Sequence, residues 1–162
     1  MKNLHCVWFV LSVFSCSAQA ADEKSWENLL AKGDDEFGAR HMGEAMRLFD
    51  LSLQAAELPE QMAMSTTSMG TTYLLQGDYS HAELLFDLSI GYWQKAKERP
   101  VHFLATTYNN YGDLLMEKHE FAKARDMYAK ALGAWQDARD DKRSRMAFAM
   151  SKLAAAYNVN GD

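Results

Sequence analysis

Large apolar side chains recur along the chain at steps of three and four residues, the spacing that places them on one face of an α-helix. In three segments a large apolar residue is followed by an alanine three positions on, and by an aromatic residue four positions further. These alanines, Ala45, Ala82 and Ala124, would let two helices approach closely. The pattern predicts seven helices, over about residues 24–38, 42–57, 60–76, 79–98, 101–117, 121–139 and 143–159.

Turn residues and prolines separate the predicted helices. Gly77 suits the position just after a helix end, and Asp78 suits the N-cap of the next helix. Both prolines, Pro59 and Pro100, fall between pairs of helices, and proline is tolerated in a first helical turn but not in a helix interior. The sequence therefore predicts helix–turn–helix repeats. A strand-rich fold is disfavoured, because no stretch of alternating apolar residues has turn signals at hairpin spacing.

The repeats resemble the tetratricopeptide repeat family, nearly throughout residues 25–162. The Ala82-to-Ala124 spacing of 42 residues and the Asn109-Asn110 pair resemble its long-repeat subclass, typified by kinesin light chains. The alternative is a plain helical bundle whose periodicity arose by chance. The second repeat carries the family pattern at Gly70, Tyr73, Gly77, Tyr79, Ala82, Phe86 and Ser89, the third at Gly112, Leu115, His119, Phe121, Ala124, Tyr128 and Ala131, and the first more weakly at Gly33, Glu36, Arg40, Met42, Ala45, Phe49 and Ser52.

This resemblance implies an all-α fold, a right-handed α-solenoid of stacked antiparallel helix pairs. The domain would span residues 21–162, with repeats at about 25–58, 59–99 and 100–141 and a C-terminal capping helix at 143–159. As a cap, the last helix should expose a polar side, and Lys152, Asn158 and Asn160 fit that expectation. The alternative is that this helix pairs with a second copy of the chain or with another protein.

The resemblance also implies a peptide-binding groove, lined by the first helix of each repeat. Asn110 is the strongest single candidate, because its amide can both donate and accept a hydrogen bond; the alternative is that this amide bonds inside the stack. A basic clamp for a C-terminal carboxylate is not expected, since only Lys152 supplies a cation, so a neutral or amphipathic segment is the expected ligand. The expected groove residues are Thr67, Thr71, Asn109, Asn110, Asp113 and Lys152, with Met64, Ser68, Leu74, Leu75, Thr106, Met116, Glu117, Phe148 and Ala155 on the same face.

Composition and motifs narrow the function classes. The formal net charge of -5 argues against nucleic acid as a partner, because phosphates attract clustered lysine and arginine. We find no nucleophile elbow, phosphate-binding loop or zinc-protease motif, and no histidine pair with the spacing of a helix-borne metal site. We therefore expect no enzymatic activity, no cofactor and no metal. The expected partner is another protein or a peptide.

The first twenty residues have the three parts of a secretory signal peptide. Lys2 precedes an apolar run that ends near Cys16, and Ala18-Gln19-Ala20 supplies small residues for cleavage after Ala20. The run is too short to span a membrane. We therefore expect a secreted or periplasmic protein with no transmembrane span in its mature chain. The alternative is lipid anchoring at Cys16, whose preceding residues loosely resemble a lipobox.

These observations together predict an exported interaction module that binds a protein or peptide in its concave groove as a non-catalytic scaffold or adaptor. The alternative is a self-associating structural or assembly subunit of the cell envelope, which would form a homo-oligomer through its C-terminal helix. The sequence identifies neither the partner nor the pathway.

Overall fold

The computed structural model describes residues 25–97, 100–137 and 143–160, and in these ranges all regular secondary structure is helical. The predicted all-α class and the order of seven helices are confirmed. The first twenty residues, with the predicted signal peptide, lie outside the described residues. The helices are α1 (Trp26–Gly38), α2 (Met42–Ala55), α3 (Pro59–Gln76), α4 (Tyr79–Lys95), α5 (Val101–Glu117), α6 (Phe121–Asp137) and α7 (Arg143–Asn160).

Helices α1 and α2 form a first compact unit, which ends at Ala56. Ser25 caps α1 by accepting a hydrogen bond from the backbone amide of Asn28 at 3.4 Å. Gly33 of α1 faces the ring of Phe49 in α2, so closely that a Cβ atom at residue 33 would lie 2.5 Å from the ring. The glycine therefore sets how near the two helices can come.

Helices α3 to α7 form the second compact unit, which begins at Glu57. Helix α3 packs on α4, α5 packs on α6, and α7 packs on α6, while α5 also contacts α3 and α4. The predicted alanines Ala82 and Ala124 are fully buried. The rings of Phe86 and Tyr111 stack at 5.6 Å between centroids, which joins the α3–α4 pair to the α5–α6 pair through one core.

The three turns between paired helices share one backbone geometry. Arg40, Gly77 and His119 each have a positive φ, of 66°, 78° and 59°, which is the left-handed conformation that ends many helices. Only Gly77 is a glycine, the residue that adopts this conformation without steric cost. Asp78 then caps α4, as predicted, by accepting a hydrogen bond from the amide of His81 at 3.2 Å.

Helix α7 is buried on one side only. Ala149 and Ala156 are fully buried, whereas Phe148, Met150 and Tyr157 are exposed. The outer side of this helix therefore carries apolar side chains beside Asn158, which is exposed as expected, while the Asn160 side chain lies outside the described residues. Among the described residues, no helix is long and apolar enough to cross a lipid bilayer.

Candidate functional site

Polar side chains join helices α3, α5 and α7 of the second unit. Helices α3 and α5 are the first helices of their pairs, and α7 follows the α5–α6 pair. Asn110 Nδ2 of α5 donates a hydrogen bond to Thr71 Oγ1 of α3 at 2.8 Å. Lys152 Nζ of α7 donates to Asp113 Oδ1 of α5 at 2.7 Å. Four of the six predicted groove residues therefore lie along one surface, where they bridge neighbouring helices. We call the surface of α3, α5 and α7 that carries these bridges the first-helix face.

The other two predicted groove residues lie inside the protein. Thr67 is 8 % exposed, and its Oγ1 lies 2.8 Å from the Ala63 carbonyl oxygen, from Ser89 Oγ and from Thr107 Oγ1. Asn109 is also 8 % exposed. Thr67 and Asn109 are therefore not part of the candidate site, because their side chains are buried away from the surface.

The Asn110 amide makes the contact that was the alternative to ligand binding. Its Nδ2 is used in the bond to Thr71, within the stack of helices. Asp113 is engaged in the same way by Lys152 and by the Tyr128 hydroxyl, which donates to Asp113 Oδ1 at 2.6 Å. These side chains hold α3, α5, α6 and α7 in register, and they thereby fix the shape of the surface next to them.

A pocket of about 450 Å³ opens beside the Asp113–Lys152 pair. It takes side chains from all five helices of the second unit, and most of them come from positions expected on the groove face. Leu75 is 57 % exposed, a large fraction for a leucine, so part of this pocket is an apolar surface in contact with solvent. Its apolar walls are formed by Leu74, Leu75, Met116 and Ala155.

The polar lining of the pocket consists of Tyr79, Asp113, Glu117, Tyr128 and Lys152. Tyr79 donates a hydrogen bond to Glu117 Oε2 at 3.3 Å. Burial and the bond to Asp113 raise the pKa of Tyr128 far above its ordinary value, so its hydroxyl stays protonated and acts as a donor. The pocket can therefore offer carboxylate acceptors at its rim with apolar surface beside them.

Tyr79 and Tyr128 were not predicted as site residues, because the repeat pattern assigns aromatic residues at their positions to the core. Tyr128 does fill the core, since its ring packs on Gly112, but its hydroxyl reaches Asp113. One sequence signal could have shown this. The two equivalent positions carry Phe49 and Phe86, which have no hydroxyl, so the tyrosine marks the repeat in which this position also makes a polar contact.

In the described ranges no three histidine, cysteine, aspartate or glutamate side chains are placed to hold a metal ion together. The acids and the lysine of the pocket bond to one another or to tyrosine hydroxyls. The arrangement is suited to contact with a bound segment.

Comparison with known proteins agrees with the repeat architecture. Residues 103–162 match the family model of the tetratricopeptide repeat. A search of curated proteins gives no significant match. The crystal structure of BtubC (BKLC) from P. vanneervenii is similar in fold, with a TM-score of 0.73 and 18 % sequence identity over 85 % of this chain. The similar region makes up 57 % of the BtubC chain, a little over half its length.

Proposed function

We propose that this chain, whose residues 103–162 match the tetratricopeptide repeat family model, is a non-catalytic interaction module that binds a protein or peptide segment on its first-helix face. The observation that carries this proposal is the open pocket beside the Asp113–Lys152 pair, with Leu75 exposed at its wall. A pocket that combines apolar walls with a few polar groups is typical of a surface that binds a ligand.

The bridges between helices support this function by keeping the face in one shape. Asn110 bonds to Thr71, and Lys152 bonds to Asp113, before any ligand arrives. A surface that is already ordered loses little conformational entropy when it binds a segment. The bridging residues thus prepare the binding surface, while the exposed side chains beside them meet the partner.

We also propose that the protein works outside the cytoplasm, after export and cleavage behind Ala20. The support is the order of features in the first twenty residues: Lys2, then an apolar run, then the small residues of Ala18-Gln19-Ala20 at the expected cleavage site. A chain anchored by lipid at Cys16 would meet partners at a membrane surface instead, and mass spectrometry of the N-terminus of the exported protein distinguishes the two forms.

Site-specific photo-crosslinking tests which face binds. Leu75 on the first-helix face and Leu84 on α4 are both leucines, 57 % and 66 % exposed, and only Leu75 lines the pocket. We replace each in turn with p-benzoyl-phenylalanine in the native organism and irradiate intact cells. We expect a crosslinked partner from position 75 and none from position 84. Equal crosslinking from both positions, or crosslinking from position 84 alone, contradicts the proposed face.

A specific observation on α7 favours a second candidate function, self-association. Ala147 and Ala154 stand 42 residues after Ala105 and Gly112 of α5. Ala105 and Gly112 are buried and pack against α6, whereas Ala147 and Ala154 are exposed. Helix α7 thus has a packing face that is left uncovered by the described part of the chain.

The residue at position 154 limits what can cover that face. At the equivalent glycines, an added Cβ would lie 2.5 to 3.0 Å from the aromatic ring of the paired helix. Ala154 has that Cβ, so a helix with an aromatic residue at this point would have to pack at a greater distance. A second copy of α7 suits this face, because Ala147, Ser151 and Ala154 are all small and exposed and would allow two such helices to approach closely.

Light scattering over a range of protein concentrations tests the second candidate. We expect the wild type to dimerise as concentration rises and Ala154→Glu to remain a monomer, because a carboxylate would lie in the apolar seam between the copies. Ala129→Glu is the control, since Ala129 is an exposed alanine on α6. A wild type that stays monomeric throughout the range rules out self-association through α7.

A further inference from the structure

The described lining of the pocket has two carboxylates, those of Asp113 and Glu117, and one ammonium group. Among the described residues, Lys152 is the one cation in its lining, and Asp113 holds the Lys152 ammonium at 2.7 Å. The ammonium also lies 5.4 Å from the centre of the Phe148 ring, a favourable cation–π distance. With Asp113 and Lys152 paired, Glu117 carries the remaining charge among the described residues of the lining.

Glu117 is placed to receive a cation. It is exposed at the C-terminal end of α5, and its hydrogen bond from the Tyr79 hydroxyl is long, at 3.3 Å. Among the described residues no lysine or arginine forms an ion pair with it. A helix C-terminus carries partial negative charge, which adds to the attraction for a positive group there.

The apolar walls of the pocket favour a ligand that carries alkyl groups next to its positive charge. Leu75 and Met116 come from α3 and α5 and lie on the same pocket as Glu117. An arginine or lysine side chain matches this arrangement of apolar wall and carboxylate. Its alkyl stem packs on apolar surface while its charged head stays near water. An acidic side chain is disfavoured, since it would have to separate Lys152 from Asp113.

We propose that this pocket binds a basic side chain, arginine or lysine, of the partner segment, with Glu117 receiving the charge and Leu75 and Met116 packing on the stem. This assignment rests on the proposed function and specifies the ligand of the same face. It also agrees with the net charge of -5, which favours approach of a cationic segment. The proposal keeps the expected amphipathic segment, adds a basic side chain to it, and departs from the expectation of a neutral one.

A pair of matched peptides tests the assignment by NMR. The probes are acetyl-Leu-Arg-Leu-amide and the same peptide with citrulline, which keeps the shape of arginine without its charge. Titrated into the isotopically labelled protein, the arginine peptide should shift amide signals near Glu117, Leu75 and Ala155. The citrulline peptide should bind about tenfold more weakly, because a hydrogen-bonded charge is replaced by a neutral group.

Two protein variants assign the effect to one carboxylate. Glu117→Gln should weaken the arginine peptide about tenfold and leave the citrulline peptide unchanged. Glu57→Gln is the control: it removes one exposed carboxylate from the same unit, outside the pocket, and should leave both peptides unaffected. Unchanged melting of both variants shows that the fold is kept.

The outcomes separate this assignment from the binding face itself. Equal affinity for both peptides, no binding of the arginine peptide, or an undiminished affinity in Glu117→Gln overturns the basic-anchor assignment. Crosslinking from position 75 can still identify a partner in that case, so the proposed face would stand. Absence of crosslinking from position 75 overturns the face itself, whatever the peptides do.

Discussion

Replacing Gly112 with alanine should destabilise the second compact unit by about 1–3 kcal/mol, the usual cost of forcing extra atoms into a packed core. A Cβ at this position would lie 2.5 and 2.7 Å from two carbons of the Tyr128 ring, well inside normal contact. The ring cannot easily move away, because the Tyr128 hydroxyl bonds to Asp113, and Asp113 in turn holds Lys152. Alanine is the better helix former, but that gain of about 1 kcal/mol is smaller than the clash.

Urea unfolding followed by far-UV circular dichroism measures this effect. Gly133→Ala is the control, since Gly133 lies within α6 and a Cβ there would have nothing within 4 Å. It should leave stability unchanged or raise it by about 0.5–1 kcal/mol through helix propensity. If Gly112→Ala is as stable as Gly133→Ala, the close contact between α5 and the Tyr128 ring is not present in solution.

A second variant tests whether the Tyr128 hydroxyl makes the clash worse. Tyr128→Phe removes the bond to Asp113, so its ring is free to shift when Gly112 becomes alanine. In the double variant we expect the cost of Gly112→Ala to be smaller than in the wild type. Such a coupling between contacting residues is commonly about 0.5–3 kcal/mol. Strictly additive effects would show that the hydroxyl does not hold the ring in place.

The sequence predicted the helices well because their signals are local. Steps of three and four residues, the turn at Gly77 and Asp78, and the two prolines each act within a few positions of the chain. The sixteen-residue spacing from Gly33 to Phe49, from Gly70 to Phe86 and from Gly112 to Tyr128 repeats the same contact in every pair. A contact repeated at a fixed spacing is visible in a single sequence.

The contacts of the polar side chains near the candidate site were harder to predict. They depend on which residue of a neighbouring helix each side chain reaches. The helix position of Thr67 suggested a groove, but Ser89 and Thr107 surround its hydroxyl in the core. Asn110 was expected either to meet a ligand or to bond inside the stack, and its Nδ2 donates to Thr71, 39 residues away. Such pairings are set by how far adjacent helices are rotated about their axes, which helical periodicity alone does not specify.

Replacing Thr107 with valine should destabilise the second unit by about 1–3 kcal/mol, although the two side chains have the same shape. Trp93 is 2 % exposed, and its Nε1 donates a hydrogen bond to Thr107 Oγ1 at 3.0 Å. The same oxygen lies 2.8 Å from Thr67 Oγ1. Valine offers no acceptor, so the indole N–H would remain buried without a partner, and this loss of solvation is the main cost.

Thr106→Val is the matched control, because it makes the same chemical change one residue earlier in α5. Thr106 is exposed, and its hydroxyl donates to the His102 carbonyl of its own helix at 2.7 Å. Water can replace that bond, so Thr106→Val should change stability by no more than about 0.5 kcal/mol, as surface substitutions usually do. The indole N–H signal of Trp93 should shift in the NMR spectrum of Thr107→Val alone. Equal stability of the two valine variants would mean that α3, α4 and α5 are held together by apolar packing without help from the buried hydroxyls.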